Sequence, residues 1–224
     1  MVATGVRLFA LLASLSLWVA ACGQTPTSAP PAAPTDSSAS VNPARIERVR
    51  TELPSGYEVT ALPGRAVPVA LWGLGPGWTA DPPRCGVLAD PVDGTAAATT
   101  RGWSASGAGG IVYAVLAGST ATLDPSLIDE CGQWTVSGGH TSGTVAFAAA
   151  PAIDGAVTVG LTTLTTTVVE GGTETHSHAD TFTTYLRDYV VFVTVVSDPG
   201  SPNPPLGQDF AADLLVKTVS ALRG

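Results

Sequence analysis

The chain has 224 residues, of which 45% are hydrophobic and only 12% charged, and its formal charge at pH 7 is −8. That length and apolar fraction suit one or two domains with a real core. Lys217 is the sole lysine in an acidic chain, which excludes a nucleic-acid grip and a polybasic attachment to anionic lipid. Low charge combined with abundant Thr, Ala, Val and Gly also excludes coiled coils and long helical bundles.

Arg7 precedes the uncharged run Leu8–Ala21. The run is shorter than the ~20 apolar residues a membrane span requires, and its basic flank marks residues 1–21 as an export signal. It ends Val19-Ala20-Ala21-Cys22, which resembles the lipobox of bacterial lipoproteins, whose cysteine is lipidated and becomes the mature N-terminus. The plainer alternative is an ordinary secretory signal that leaves Cys22 as a free thiol. A cysteine carrying a diacylglycerol and an N-acyl chain meets the two-chain requirement for stable anchoring. The expected location is therefore the extracytoplasmic face of the cell membrane. Residues 22–44 continue with Pro, Ala, Ser and Thr and no hydrophobic periodicity. Such a segment buries too little surface to fold and reads as a tether, with a reach of up to ~60 Å at about 3.1 Å per residue.

Residues 45–224 read as a single folded domain. Asn42-Pro43 is an N-cap followed by proline at the first helical position, and Ile46, Val49 and Leu53 share one face of a short helix that Pro54 stops. Tyr57–Leu62 reads as a strand. The Gly/Pro-rich stretch after it holds Trp72 and Trp78 and reads as a long ordered loop, of the sort that often carries function. A short helix is expected over Cys85–Ala89 and another from Asp124-Pro125 to Cys131. Strands are expected at 95–103, 110–117, 135–136, 144–149, 157–168, 173–187 and 189–196. The near-continuous apolar runs IVYAVLA and YVVFVTVV predict strands covered on both faces. In 157–168 the apolar parity switches, with Val157, Val159 and Leu161 odd but Leu164 and Val168 even, so a bulge is expected near Thr162–Thr163. Glu170-Gly171-Gly172-Thr173 reads as a hairpin turn. The last helix, about 207–222, sets Ala211, Leu215, Val219 and Leu222 on one face and Asp209, Asp213, Lys217 and Ser220 on the other. The fold class is α+β: a mostly antiparallel sheet of about six strands with short helices packed on it.

With Cys22 lipidated, Cys85 and Cys131 remain, and an even remainder in an oxidising compartment reads as one disulfide. The rival, a free catalytic thiol, has no CxxC or protease-like surroundings. A lipobox, a Pro/Ser/Thr tether, the segments DPPRCG and DECGQWTV and a β-rich second half together resemble the small lipoproteins of mycobacteria and their relatives. The domains of those lipoproteins are similar to the extracellular sensor domain of PknH-type Ser/Thr kinases. Such sensor domains typically carry four cysteines in two bridges, whereas this domain has Cys85 and Cys131 alone. The resemblance implies a central sheet with a cleft and a ligand- or partner-binding role rather than an enzyme, and it brings no functional residue with it.

Chemistry-bearing patterns are sparse. Glu174, His176, His178 and Asp180 alternate, so in a strand they share one face, and His176 and His178 at i, i+2 are a possible zinc pair. The bland reading is a polar, solvent-facing segment beside a turn. A serine nucleophile elbow, a phosphate loop and a dinucleotide fingerprint are all missing, Asp129–Glu130 reads as helix surface, and no cofactor is implied. Of the tryptophans after the signal, Trp72 and Trp78 lie in the Gly/Pro loop and are the candidates for a ligand platform, with Arg84 as the nearest positive charge for an anionic head group. Two functions therefore stand: a non-catalytic binding or sensor-type domain for a lipid, glycolipid or protein partner, and, as the alternative, an envelope metal-dependent hydrolase using the histidine face.

Overall fold

The computed structural model describes residues 40–92 and 100–224. Cys22, the signal and most of the tether lie outside the described residues, as does the first half of the strand expected at 95–103. Nine strands, β1 (Glu58–Ala61), β2 (Thr79–Asp81), β3 (Arg101–Gly107), β4 (Gly110–Gly118), β5 (Gln133–Gly138), β6 (Thr141–Ala148), β7 (Val157–Val168), β8 (Glu174–Tyr185) and β9 (Tyr189–Ser197), form one sheet. Its order is β1-β3-β4-β9-β8-β7-β6-β5-β2, with antiparallel pairing throughout. The α+β class holds, but the sheet has nine strands rather than about six. The strand with no counterpart among those expected is β2, which is too short for an alternation to show and holds its place by pairing with β5.

Two layers cover the sheet in a staggered way. On one face lie α1 (Pro68–Leu71), a 3-10 helix at Pro83–Leu88 and α2 (Ser126–Glu130), over side chains drawn from β4 to β9. On the other lie α3 (Gly207–Arg223) and a 3-10 helix at Pro43–Glu52, over β3, β4, β8 and β9. The central strands serve both layers. β4 sends Val115 and Ala117 to one core and Val112, Ala114 and Leu116 to the other, and β9 divides Val190 and Phe192 from Val191, Val193 and Val195 in the same way. That explains the unbroken apolar runs: a strand covered on both faces needs an apolar residue at every step.

The first helix is 3-10 over its full length, with Asn42 Oδ1 accepting from the Ala44 N–H at 3.1 Å. At three residues per turn, positions i and i+3 eclipse, so Ile46 and Val49 are both buried against the sheet. Trp103 of β3 is fully buried and donates its indole N–H to the Ile46 carbonyl at 3.1 Å. α3 buries the predicted apolar face, and on its outer side Lys217 pairs with Asp213 at 2.9 Å and Glu52 at 2.8 Å.

The predicted bulge in β7 is absent. Pairing with β6 and with β8 runs without a break through Thr162 and Thr163, so the strand keeps one register, with Val159, Leu161, Thr163 and Thr165 facing inward and Leu164 53% exposed. Thr165 is tolerated inside because the layer over it offers polar backbone, its hydroxyl reaching the Trp72 carbonyl at 3.4 Å, whereas the buried Thr163 hydroxyl has no hydrogen-bond partner. The β7–β8 turn is a three-residue loop in which Gly171 and Gly172 have φ of +87° and +78°. Glycine supplies that left-handed conformation without steric cost, and the loop closes with the Val169 N–H on the Thr173 carbonyl at 2.9 Å.

Candidate functional site

The segment expected to be one long loop is instead a built cap. Pro68 starts α1 with its φ already set for a helix, α1 ends at Trp72, and β2 adds an edge strand to β5. Arg65 closes the cap on itself, pairing with Asp90 at 2.6 Å and donating to the Val92 carbonyl at 3.0 Å. Cys85 and Cys131 form a disulfide in which both residues are fully buried, tying the second 3-10 helix to the end of α2.

The three proposed ligand-binding residues have different fates. Trp72 is 2% exposed. Its indole N–H donates to the Thr181 hydroxyl at 3.0 Å, which is bonded in turn to that of Thr194, and its ring meets Trp134 at 6.5 Å and 58°. A tilted aromatic pair with its polar handle satisfied is core packing, so Trp72 is not a ligand platform. Trp78 is half-buried and lies where a Cβ on Gly86 would come within 3.2 Å of its ring and a Cβ on Gly138 within 3.0 Å of its Cα. It seals the edge strand to the disulfide-bearing turn, and the two glycines allow that close approach. Arg84 bonds Glu130, Asp124 at 3.2 Å and the Ser126 hydroxyl at 3.1 Å. Two carboxylates share one guanidinium, so Arg84 is not a free cation awaiting an anionic head group. Exposed pairs of this kind add little stability, but they fix the position of α2 against the cap.

Between the cap and the sheet lies a groove of about 210 Å³ whose walls are Val87, Pro91, Leu123, Leu127 and Tyr185, with Arg84 and Asp124 at its mouth. Val87 is 49% exposed. Burial pushes the Tyr185 phenol up to about 12, which only reinforces the protonated, hydrogen-bond-donating form that a tyrosine already has at neutral pH. The Asp124 carboxyl is held below its usual range, first by the Ser126 backbone N–H, then by the Ser126 hydroxyl, with Arg84 contributing. The Asp124 carboxylate therefore stays ionised to lower pH than a free one. Of these residues only Arg84 was legible as a candidate. Val87 and Leu123 carry no motif and come to line one groove only in the folded cap.

The histidine strand is as predicted in placement, with Glu174, His176, His178 and Asp180 on one face of β8. His178 Nε2 lies 3.1 Å from Asp180 Oδ2, Asp180 also accepts from Thr162 at 2.9 Å, and His176 Nδ1 bonds the Thr166 hydroxyl at 3.1 Å. Among the described residues, no group of three or more His, Cys, Asp or Glu side chains is placed to hold a metal ion. His176 and His178 thus lack a third ligand there.

An uncharacterised protein of Mycobacterium smegmatis, the Rv0999 ortholog, has a similar structure, with a TM-score of 0.61 and 21% identity over 84% of this chain and 100% of that one. The extracellular domain of PknH from Mycobacterium tuberculosis aligns at a TM-score of 0.45 and 14% identity, over 83% of this chain and 93% of that one. Among curated proteins no match is found. The family model of a domain of unknown function, DUF5642, matches residues 42–223, which is the whole sheet with both of its layers. The chain belongs to the DUF5642 family.

Proposed function

We propose that this is a non-catalytic, sensor-type binding domain of the cell envelope, held at the membrane through Cys22, and that it takes the apolar part of a small amphiphilic ligand in the groove beneath the cap. The observation that supports this is apolar surface left open in a rigid wall: Val87 is half exposed while the turn bearing it is pinned by the disulfide and by Arg84. Concave, mostly apolar sites with a few polar groups at the mouth are the usual form of a small-molecule site. Because Arg84 is already paired with Asp124 and Glu130, a neutral or cationic head group fits better than the anionic one expected from sequence. The disulfide accords with an oxidising compartment outside the cytoplasm.

Val87→Asp tests the groove. The position is half exposed, so the fold should survive, but a third carboxylate would stand over the apolar wall. Titration with monomeric dodecyl maltoside, a neutral alkyl probe, should show binding to the wild-type protein and at least roughly tenfold weaker binding to the variant, the effect of losing about 1.4 kcal/mol. Equal affinity in both proteins, or none in either, removes the groove as the site. For the anchor, Cys22→Ala should move the protein from the detergent phase to the aqueous phase and block signal processing. Unchanged partition would exclude lipidation at Cys22.

A further inference from the structure

β8 is longer than the strand beside it. It pairs with β7 along its whole length, from Glu174 opposite Val168 to Tyr185 opposite Val157, but its pairing with β9 ends at His178 opposite Ser197. There the chain leaves the sheet through a turn, with the Ser201 N–H on the Asp198 carbonyl at 3.0 Å and the Gly200 N–H on the Asp198 carboxylate at 2.7 Å. The β8 residues beyond that point, Glu174 to Ser177, keep β7 on one side and have no strand on the other.

The direction of the free backbone groups follows from alternation along an antiparallel ladder. The Val169–Thr173 bond turns the odd residues of β8 toward β7, and the Leu186 N–H on the Tyr189 carbonyl turns the even residues toward β9. Glu174 and His176 therefore present their N–H and C=O groups to the open side, two steps apart along one edge. Beside this edge is a cavity of about 460 Å³ bordered by Ser177, the Gly107–Ile111 hairpin and the loop after Ser197. The two outermost strands, β1 and β2, are only four and three residues long, which is one way edges are kept from pairing. The open part of β8 belongs to a 12-residue strand.

We propose that this edge binds an extended peptide segment of a partner protein, which adds a short strand antiparallel to β8 in the line that β9 abandons. Strand addition draws affinity from main-chain hydrogen bonds and specificity from alternate side chains. Register sets the chemistry of the guest. A residue opposite Glu174 shares its face, so Lys or Arg is favoured there, as directly opposed opposite charges attract. The residue before it, opposite Thr175, points to the other face, where the half-open Ile111 and Val196 border the cavity, and is favoured as apolar. The guest therefore reads apolar then basic, and an acidic host attracts it. This site is separate from the groove and does not depend on it.

The probe is a phage-displayed library of random octapeptides selected on the intact protein. Enriched peptides should carry an apolar–basic pair, and their binding should slow hydrogen exchange at the Glu174 and His176 amides. His176→Pro removes the outward N–H at an edge position where proline is tolerated and should weaken binding roughly tenfold. His176→Ala keeps the N–H and should leave binding unchanged. Glu174→Lys should shift preference to peptides with Glu in place of the basic residue. No enriched peptide, protection of other amides, or equal binding to the proline and alanine variants would each overturn the proposal, and the exchange measurement on the wild-type protein stands whether or not the proline variant folds.

Discussion

Trp72→Ala is expected to cost about 3–5 kcal/mol of folding stability, the range for truncating a buried aromatic. The ring is almost fully enclosed between α1 and the sheet, against Trp134. Its removal opens a cavity and takes away the indole N–H that bonds Thr181. Thr181 keeps Thr194 as a partner, so the cost is mainly packing, and Trp72→Phe should recover most of it. Urea denaturation followed by circular dichroism gives the measurement, as a shift in midpoint at unchanged slope. A loss below about 1 kcal/mol, outside the cited range, would mean that the cap tolerates an empty socket and that Trp72 is available for binding after all.

The second large effect is expected from Cys85→Ser/Cys131→Ser. The bridge closes a separation of 46 residues, and the chain-entropy model assigns about 4 kcal/mol to a loop of that size, less any strain. Removing both cysteines avoids a free thiol. Loss should begin at the cap, because α2 and the second 3-10 helix share little besides the bridge and the exposed pairs of Arg84. Hydrogen exchange should accelerate first in residues 83–88 and 126–131, and alkyl-probe binding in the groove should fall before the sheet unfolds. Peptide addition at β8, on the hairpin remote from the bridge, should persist. If stability and cap exchange are unchanged, the bridge is dispensable and the groove wall is held by packing alone.

The staggered layers account for which parts of the fold were legible. β4 and β9 announce themselves as continuous apolar runs because each meets a layer on both faces, and α3 shows its amphipathic face because one layer covers it. β7 misleads because threonines take inward positions, Thr165 with its hydroxyl on the Trp72 carbonyl of the cap, which no periodicity can reveal, and because Leu164 lies on the uncovered face of the sheet. Trp72 and Trp78 misled in the opposite sense. A Gly/Pro-rich stretch reads as an adaptable loop, but its prolines start helices and its neighbouring glycines let a ring approach.

Residue pattern alone determined the class of fold, the helix at each end of the domain, the β7–β8 hairpin and the pairing of Cys85 with Cys131. Each rests on local chemistry: a cap and its proline, a period, two adjacent glycines, or the two cysteines that remain once Cys22 is set aside. The tertiary structure alone decided that Arg84 is already spent on Asp124 and Glu130, that Val87 and Leu123 share a groove, and that β9 leaves β8 with an open edge at Glu174 and His176. These are relations between segments distant in sequence, set by register and by the disulfide, and a chain shows them only once its strands have chosen their neighbours.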